Sequence, residues 1–319
     1  MILIMSQLSD FATTQVIDWL VYYKKEFLRL NGDEVYEIDE ITTDKINISK
    51  NGCKYDLLQC DSYWYRRDGI SRKHLHVPFA CHFSSDKLTQ NLQKALDEEY
   101  SVIKCHIYHK IENTIGNSRC LGNYDRRSLN KMDVLELASA CGFAVPQTMI
   151  TCSLDSLKLL LTNSACITKA ASESIYVSDN KYFYVSYTTR LILNKVLAYP
   201  SNFMASLFQM EVKKKFELRV FYLNKRVFAS VIFSQQNVSS EVDCRRARQY
   251  RYLPYRLPKV VVSRLCKLMK KLHLKTGSVD LIVDCDNNYI FLEVNPVGQF
   301  VAYGEFCNYY LDKELAKCL

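Results

Sequence analysis

The chain has 319 residues, 48% hydrophobic and 24% charged, with a net charge of +8. That length supports two or three domains with buried cores, and the composition is that of a globular protein. No apolar run approaches the roughly 18 residues that span a bilayer, so no membrane partner is expected. The modest basic excess comes without an aromatic stacking platform, which disfavours nucleic acid and suits anionic ligands.

In chain order, Ile2-Leu-Ile reads as a short strand. The start, Met1-Ile-Leu-Ile-Met-Ser, has no basic n-region and is expected to be a buried strand, not a signal peptide. Thr13-Thr14 is expected to cap a helix through Val16, Leu20, Tyr23 and Phe27. Tyr63-Trp64-Tyr65 reads as a strand ending in Arg66-Arg67-Asp68-Gly69. Asn130 begins an amphipathic helix that ends at Gly142. A strand follows at Gln147–Thr151, a helix at Leu154–Leu161 and a strand containing Lys169. Tyr176 to Tyr187, rich in Tyr, Val and Ser, reads as a hairpin turning at Asp179-Asn180. Glu217–Leu223 and Val227–Phe233 pair around Asn224-Lys225, and Val260 to Leu274 is an apolar-faced helix.

The 13 cysteines are scattered from Cys53 to Cys318, odd in number and without Cys-x-x-Cys. They are expected to be reduced, packed thiols in a cytoplasmic protein. The six histidines give no metal-ligand spacing, and His74-Leu-His76 lacks a further cluster. There is no Ser-His-Asp or Cys-His arrangement at recognisable spacing and no Gly-x-x-x-x-Gly-Lys loop, which disfavours a hydrolase or a P-loop enzyme.

The chemistry concentrates in two C-terminal runs, Ser278–Asp286 and Asn287–Asn295, which read as a hairpin. A turn centred on Asp286-Asn287 places Asp280 opposite Glu293, and the period-two alternation puts Glu293 and Asn295 on one face. Two carboxylates and an amide oxygen are hard ligands that suit Mg²⁺ sharing its shell with phosphate. The same spacing fits an ordinary exposed hairpin with a polar face.

The run Phe291-Leu-Glu293-Val-Asn295-Pro296-Val-Gly298-Gln299-Phe300 resembles the end of the ATP-grasp catalytic domain. More narrowly, it resembles the maturases that cross-link ribosomal peptides, the microviridin and graspetide ligases, nearest to the grasp-with-spasm branch. Met1-Ile-Leu-Ile, Trp64-Tyr-Arg66-Arg67, Asn130-Lys131, Val145-Pro146, Ile167-Thr-Lys169-Ala, Phe216-Glu217-Leu-Arg219-Val and Asp243-Cys-Arg245 agree in order along essentially the whole chain. One departure is Asp243-Cys-Arg245, where the family pattern has an aromatic between Asp and Arg.

The resemblance implies an ATP-grasp fold: an N-terminal α/β domain over 1–122, a central lobe over 123–208 and a catalytic lobe over 209–319, the two lobes clasping ATP. It implies nucleotide contacts at Lys131, Lys169 and the connector Gln209, Glu211, Val212 and Lys213. It implies Mg²⁺ on Asp280, Glu293 and Asn295, with Arg219, Glu217 on the same strand face, and Arg245 as catalytic residues. A guanidinium is permanently charged and grips carboxylate or phosphate bidentately. The implied substrate is a ribosomal precursor peptide with a leader and an acidic, Thr/Ser-rich core. Its Asp or Glu side chains would be phosphorylated and then closed by Thr or Ser into ω-esters, or by Lys into ω-amides. The Tyr176–Tyr187 hairpin is a candidate leader platform, and a homodimer is implied. The alternatives are an ATP-grasp ligase for free amino acids or a protein tail, and a peptide-binding module without catalysis.

Overall fold

The computed structural model describes residues 1–71, 74, 86–163, 165–172, 176–179, 181–233 and 251–319. The chain divides into two compact units, Met1–Arg127 with Tyr310–Leu319, and Ser128–Tyr309.

The first unit opens with strand β1 (Ile2–Ser6), helix α1 (Phe11–Tyr22) and strand β2 (Phe27–Asn31). The helix begins earlier than its sequence suggests, because Asp10 is the cap and accepts from Thr13 N–H at 3.3 Å. Thr13 instead bonds Ser6 through its hydroxyl at 2.8 Å. It also ends earlier, and Phe27 lies in a strand. Lys24 is left-handed (φ 55°), Lys24 N–H donates to Val21 and Lys25 N–H to Leu20, which is a Schellman stop built without glycine.

Strands β3 (Glu37–Ile41), β4 (Ile46–Lys50) and β5 (Cys53–Asp56) form a small antiparallel sheet. Strand β6 (Ser62–Tyr65), the 30-residue helix α2 (Asp86–Ile115) and strand β7 (Cys120–Leu121) follow. The main sheet runs β2-β1-β6-β7, all parallel. Helix α2 buries Ile107, Tyr108, Ile111 and Ile115 beside Tyr63 and Tyr65, and its first turns are mostly exposed. That exposure is why its apolar period is faint in sequence.

The second unit contains α3 (Lys131–Ala140), β8 (Thr148–Ser153), α4 (Leu154–Asn163), β9 (Cys166–Lys169), the hairpin β10 (Tyr176–Ser178) and β11 (Phe183–Val185), β12 (Thr189–Arg190), α5 (Leu193–Val196) and β13 (Asn202–Met210). It continues through β14 (Lys214–Leu223), β15 (Arg226–Ile232), β16 (Tyr252–Tyr255), α6 (Lys259–Lys271), β17 (Thr276–Asp284), β18 (Tyr289–Asn295) and α7 (Val301–Phe306). Besides the β10–β11 hairpin, these strands make two antiparallel sheets, β12-β9-β13-β8 and β16-β15-β14-β17-β18. Both sheets lie within one compact unit, which begins after Arg127.

Local chemistry explains the elements. Asn130 caps α3, accepting from Met132 N–H at 2.9 Å, and Gly142 (φ 93°) closes it. Asn224 and Lys225 both have positive φ, 47° and 71°, the pattern of a type I′ turn joining β14 to β15. Asp179 N–H donates to Tyr182 and its carboxylate accepts from Lys181 and Tyr182 N–H, so the β10–β11 turn closes on the Asp179–Tyr182 pair.

Alternation divides the five-stranded sheet. Leu218, Val220, Val231, Val279, Leu281, Val283 and Phe291 pack under α3 and α6, where Val134, Leu135, Ala138, Val261, Leu265, Leu268 and Met269 meet them. The last helix, α8 (Leu311–Cys318), belongs to the first unit rather than with the five-stranded sheet. It packs on α1, with Trp19 Nε1 donating to Asp312 at 2.8 Å and Lys25 Nζ to the Ala316 carbonyl at 3.1 Å. Among the described residues no helix is long and apolar enough to cross a membrane.

Leu265 is fully buried between α6 and the sheet. Leu265→Ala is expected to lower the unfolding free energy by about 2–5 kcal/mol in a urea titration. A change below about 1 kcal/mol would show that this helix is not packed as described.

Candidate active site

The face of the five-stranded sheet opposite its helices carries the charged residues. Arg219 on β14 pairs with Asp280 on β17, and Asp280 pairs with Glu293 on β18. Ser278 pairs with Asn295. The expected convergence of Asp280, Glu293 and Asn295 is therefore present, but by a different route. Asp284 N–H donates to the Asn288 carbonyl, so the turn spans three residues, Cys285 to Asn287, with Asn287 left-handed (φ 64°). That turn alone would set Asp280 opposite Leu292. A bulge between the Leu281–Phe291 and Asp280–Glu293 pairs absorbs Leu292 and restores the alignment.

Each carboxylate on this face has cationic company. Asp280 is ion-paired with Arg219, and their side chains are 13% and 28% exposed. Glu217 is ion-paired with Lys214, both side chains deeply buried. Glu293 lies 3.6 Å from the Lys131 ammonium and 3.9 Å from that of Lys169. Lys131 comes from the first turn of α3 and also donates to the Ala170 carbonyl at 3.2 Å. Lys169 comes from the end of β9. Two sheets and one helix thus deliver their side chains to one place.

Asp280 is the perturbed member. Burial pushes its carboxyl from 3.8 up to about 6; Arg219 opposes the rise and Glu293 adds to it. Its Oδ1 is buried without a hydrogen-bond partner among the described residues. A buried unsatisfied oxygen costs about 1–3 kcal/mol. Asn295 is exposed, and its Oδ1 accepts from Val297 N–H at 3.0 Å, which leaves a second lone pair for another donor. An orphaned carboxylate oxygen beside a second carboxylate and an amide oxygen fits a hard divalent cation.

Gly298 follows this hairpin at close quarters, since a Cβ there would stand 2.3 Å from Ser278 Cβ. The Ser278 hydroxyl donates to the Gln299 carbonyl at 3.1 Å and bonds Tyr303 at 2.6 Å. The loop is thereby strapped over the strand carrying Asp280.

The remaining sequence candidates are distributed as follows. Residues 211–213 join β13 of one sheet to β14 of the other, the position of a connector. Gln209 is 1% exposed and donates to Thr148 Oγ1 at 2.8 Å, so its side chain is used inside its own sheet. Glu211 accepts from Arg190 Nε at 2.6 Å, Val212 is partly buried and Lys213 is exposed. Arg245 and Asp243 lie outside the described residues. In the first unit, Arg66 and Arg67 both donate to Asp10, at 3.1 and 3.2 Å. His74 is buried, stacked on Tyr36 and within 2.9 Å of the Glu34 carbonyl, as a core histidine.

Two partners had no readable signal. Lys214 reaches Glu217 only because a bulge between Lys214 and Phe216 puts both on one side, whereas strand residues three apart otherwise face opposite ways. Arg190 meets Glu211 across 21 residues.

Two antiparallel sheets joined by a short connector, with the charged residues on the final hairpin, define the ATP-grasp fold, as the sequence resemblance leads one to expect. No family model and no curated protein matches the sequence. Solved structures do match, along the whole chain. The macrocyclase MdnC of Microcystis aeruginosa MRC, bound with precursor peptide MdnA, superposes with a TM-score of 0.81 and 22% identity, covering 100% of this chain and 99% of that one. A RiPP-associated ATP-grasp ligase of Chryseobacterium gregarium, in complex with ADP and a leader and core peptide, gives 0.78 and 21%, covering 99% and 94%. The ATP-grasp ligase PsnB, complexed with minimal precursor, Mg and ADP, gives 0.75 and 16%, covering 99% and 95%.

The raised Asp280 carboxyl has a measurable consequence. The folded protein keeps this proton to higher pH than the unfolded chain does, so the group removes stability as pH rises from about 4 to about 6. In metal-free buffer, the unfolding free energy of Asp280→Asn minus that of wild type is expected to grow across this window by on the order of 1–3 kcal/mol. Urea titrations at both ends of the window measure it, and a difference that shrinks with pH would contradict the assignment.

Proposed function

We propose that this chain is an ATP- and Mg²⁺-dependent ligase that cross-links a ribosomally made peptide. The observation that carries the reading is the convergence of Asp280, Glu293, Arg219, Lys131 and Lys169 on one sheet face, with a buried Asp280 oxygen left unsatisfied. It is supported by the precursor peptides, ADP and Mg present in the structures that share the fold.

In this reading Asp280, Glu293 and Asn295 would hold Mg²⁺, which would supply positive charge to the triphosphate. Lys131 and Lys169 supply positive charge to the phosphates, and their ammonium groups suit that role as compact charges. The connector Gln209, Glu211, Val212 and Lys213 borders the adenine and ribose, with the Gln209 and Glu211 side chains already tied to Thr148 and Arg190. Glu217 holds Lys214 in place, and Arg219 holds an acidic side chain of the peptide toward the γ-phosphate, with Arg245 as a second anion-binding candidate.

The peptide carboxylate attacks the γ-phosphorus, ADP leaves, and an acyl phosphate forms. A Thr or Ser hydroxyl, or a Lys amine, of the same peptide attacks the acyl carbon and gives up its proton, and phosphate departs. Each ring is an ω-ester or ω-amide and corresponds to the net loss of one water. Phosphorylation makes a neutral hydroxyl a usable nucleophile, so positioning and charge stabilisation do most of the catalysis.

The β10–β11 hairpin is the candidate leader platform. Val177, Phe183 and Tyr184 are 56%, 69% and 60% exposed on it, and a short exposed edge with aromatics suits an added strand or a docked helix. A homodimer in the cytoplasm completes the proposal.

Intact mass of a co-expressed precursor tests the reading. Wild type is expected to remove one water per ring, Glu293→Gln to leave the peptide unchanged, and Arg219→Ala to slow ring formation by roughly 10²-fold or more. ATP turnover on free amino acids with an unmodified peptide would favour the small-substrate ligase. Absence of any ATP turnover would favour a binding module.

A further inference from the structure

The first unit carries a second cluster of ligand atoms, distinct in chemistry from the oxygen site. Cys105 and His109 stand one turn apart on α2, and Asp125 lies on the loop after β7. His109 Nε2 is 2.9 Å from both Asp125 carboxylate oxygens, and Cys105 Sγ is 3.7 Å from the same ring. One ligand atom from each lies within 4.8 Å of the others, and among the described residues no other such group of His, Cys, Asp and Glu exists.

Spacing favours a metal. Bonds of about 2.0–2.3 Å in a tetrahedral zinc site place neighbouring ligand atoms roughly 3.3–3.6 Å apart. The His109–Asp125 and Cys105–His109 separations, 2.9 and 3.7 Å, lie within about half an ångström of that, and all three ligand atoms lie within 4.8 Å of one another.

The supports are already in place. Glu112, one turn beyond His109 and 9% exposed, accepts from Tyr124 N–H at 2.7 Å and from Asn123 Nδ2 at 2.8 Å. Asn123 Oδ1 in turn accepts from Asp125 N–H at 2.9 Å. The Tyr124 ring stacks on Tyr108 of the same helix, centroids 4.4 Å apart. The loop carrying Asp125 is therefore clamped to α2 independently of the three ligands, which is the preorganisation a metal site needs. An ordinary surface His–Asp pair would require neither the clamp nor a thiol on the same side.

We propose that Cys105, His109 and Asp125 bind a late first-row divalent cation of the Zn²⁺ class, with the fourth position open to water. Thiolate and imidazole donors select such a metal over Mg²⁺. Bound there, the cation ties the 123–127 segment to α2 where the first unit ends. The proposal does not rest on the proposed ligase chemistry, and its test does not use activity.

The full-length protein, stripped with chelator, is titrated with Co²⁺ and followed by absorption, then back-titrated with Zn²⁺. The expected result is one equivalent bound, with tetrahedral visible bands and a thiolate charge-transfer band, displaced by Zn²⁺ and unaffected by excess Mg²⁺. His109→Ala is expected to abolish the bands. Asp125→Asn, at a side chain 56% exposed and so without consequence for folding, is expected to weaken binding roughly tenfold or more. Cys318→Ser, at an exposed thiol elsewhere, is expected to leave binding unchanged. Absence of saturable bands, bands that persist in His109→Ala, unchanged affinity in Asp125→Asn, or displacement by Mg²⁺ would each overturn the proposal.

Discussion

A carboxylate buried at the centre of a sheet organises the second unit. Asp280 sits on β17 between β14 and β18, where its charge is unfavourable unless opposed. Arg219 opposes it from one neighbouring strand, while Glu293 from the other adds a like charge. Lys131 and Lys169 offset Glu293, and Lys214 offsets Glu217. Removing Arg219 or Lys214 would take the ion-pair partner from a carboxylate only 13% exposed, whereas Glu293 is shared between two lysines. Charges fixed in advance need little reorganisation when a charged ligand arrives, which is how such sites stabilise developing charge.

The array depends on two irregularities. Regular alternation over β14 would turn Lys214 away from Glu217, and a regular β17–β18 ladder with the three-residue turn would set Leu292 opposite Asp280. Bulges at both places re-aim one side chain each. The other face does the opposite work: Leu265 and Leu268 of α6 pack with Phe291 of β18, burying apolar area and holding the strands in register. One face therefore supplies stability and the other holds electrostatic strain.

The first unit follows a different plan. Its parallel sheet is closed by Tyr63, Tyr108 and the isoleucines of α2, and α8 returns from the end of the chain to cover α1. The arginines that follow β6 form an internal ion pair: Arg66 is buried against Asp10, which also accepts from Arg67. The Cys105, His109 and Asp125 cluster escaped the sequence reading. Cys105 and His109 have helical spacing, but no element between 70 and 122 stood out, and Asp125 joins them only through the loop pinned by Glu112.

Much was nonetheless readable from local rules. Asn130 and Gly142 marked the ends of α3, Asn224-Lys225 marked a tight hairpin, and alternation put Glu217 with Arg219 and Glu293 with Asn295. These depend on neighbours within a few residues, which the sequence alone determines, as it did the ATP-grasp resemblance. The helix stop at Lys24, the two bulges, the Arg190–Glu211 pair, the docking of α8 and the meeting of Lys131 and Lys169 at Glu293 depend on groups far apart in the chain. Only tertiary structure decides them, because burial and register are properties of the packed sheet and not of any segment within it.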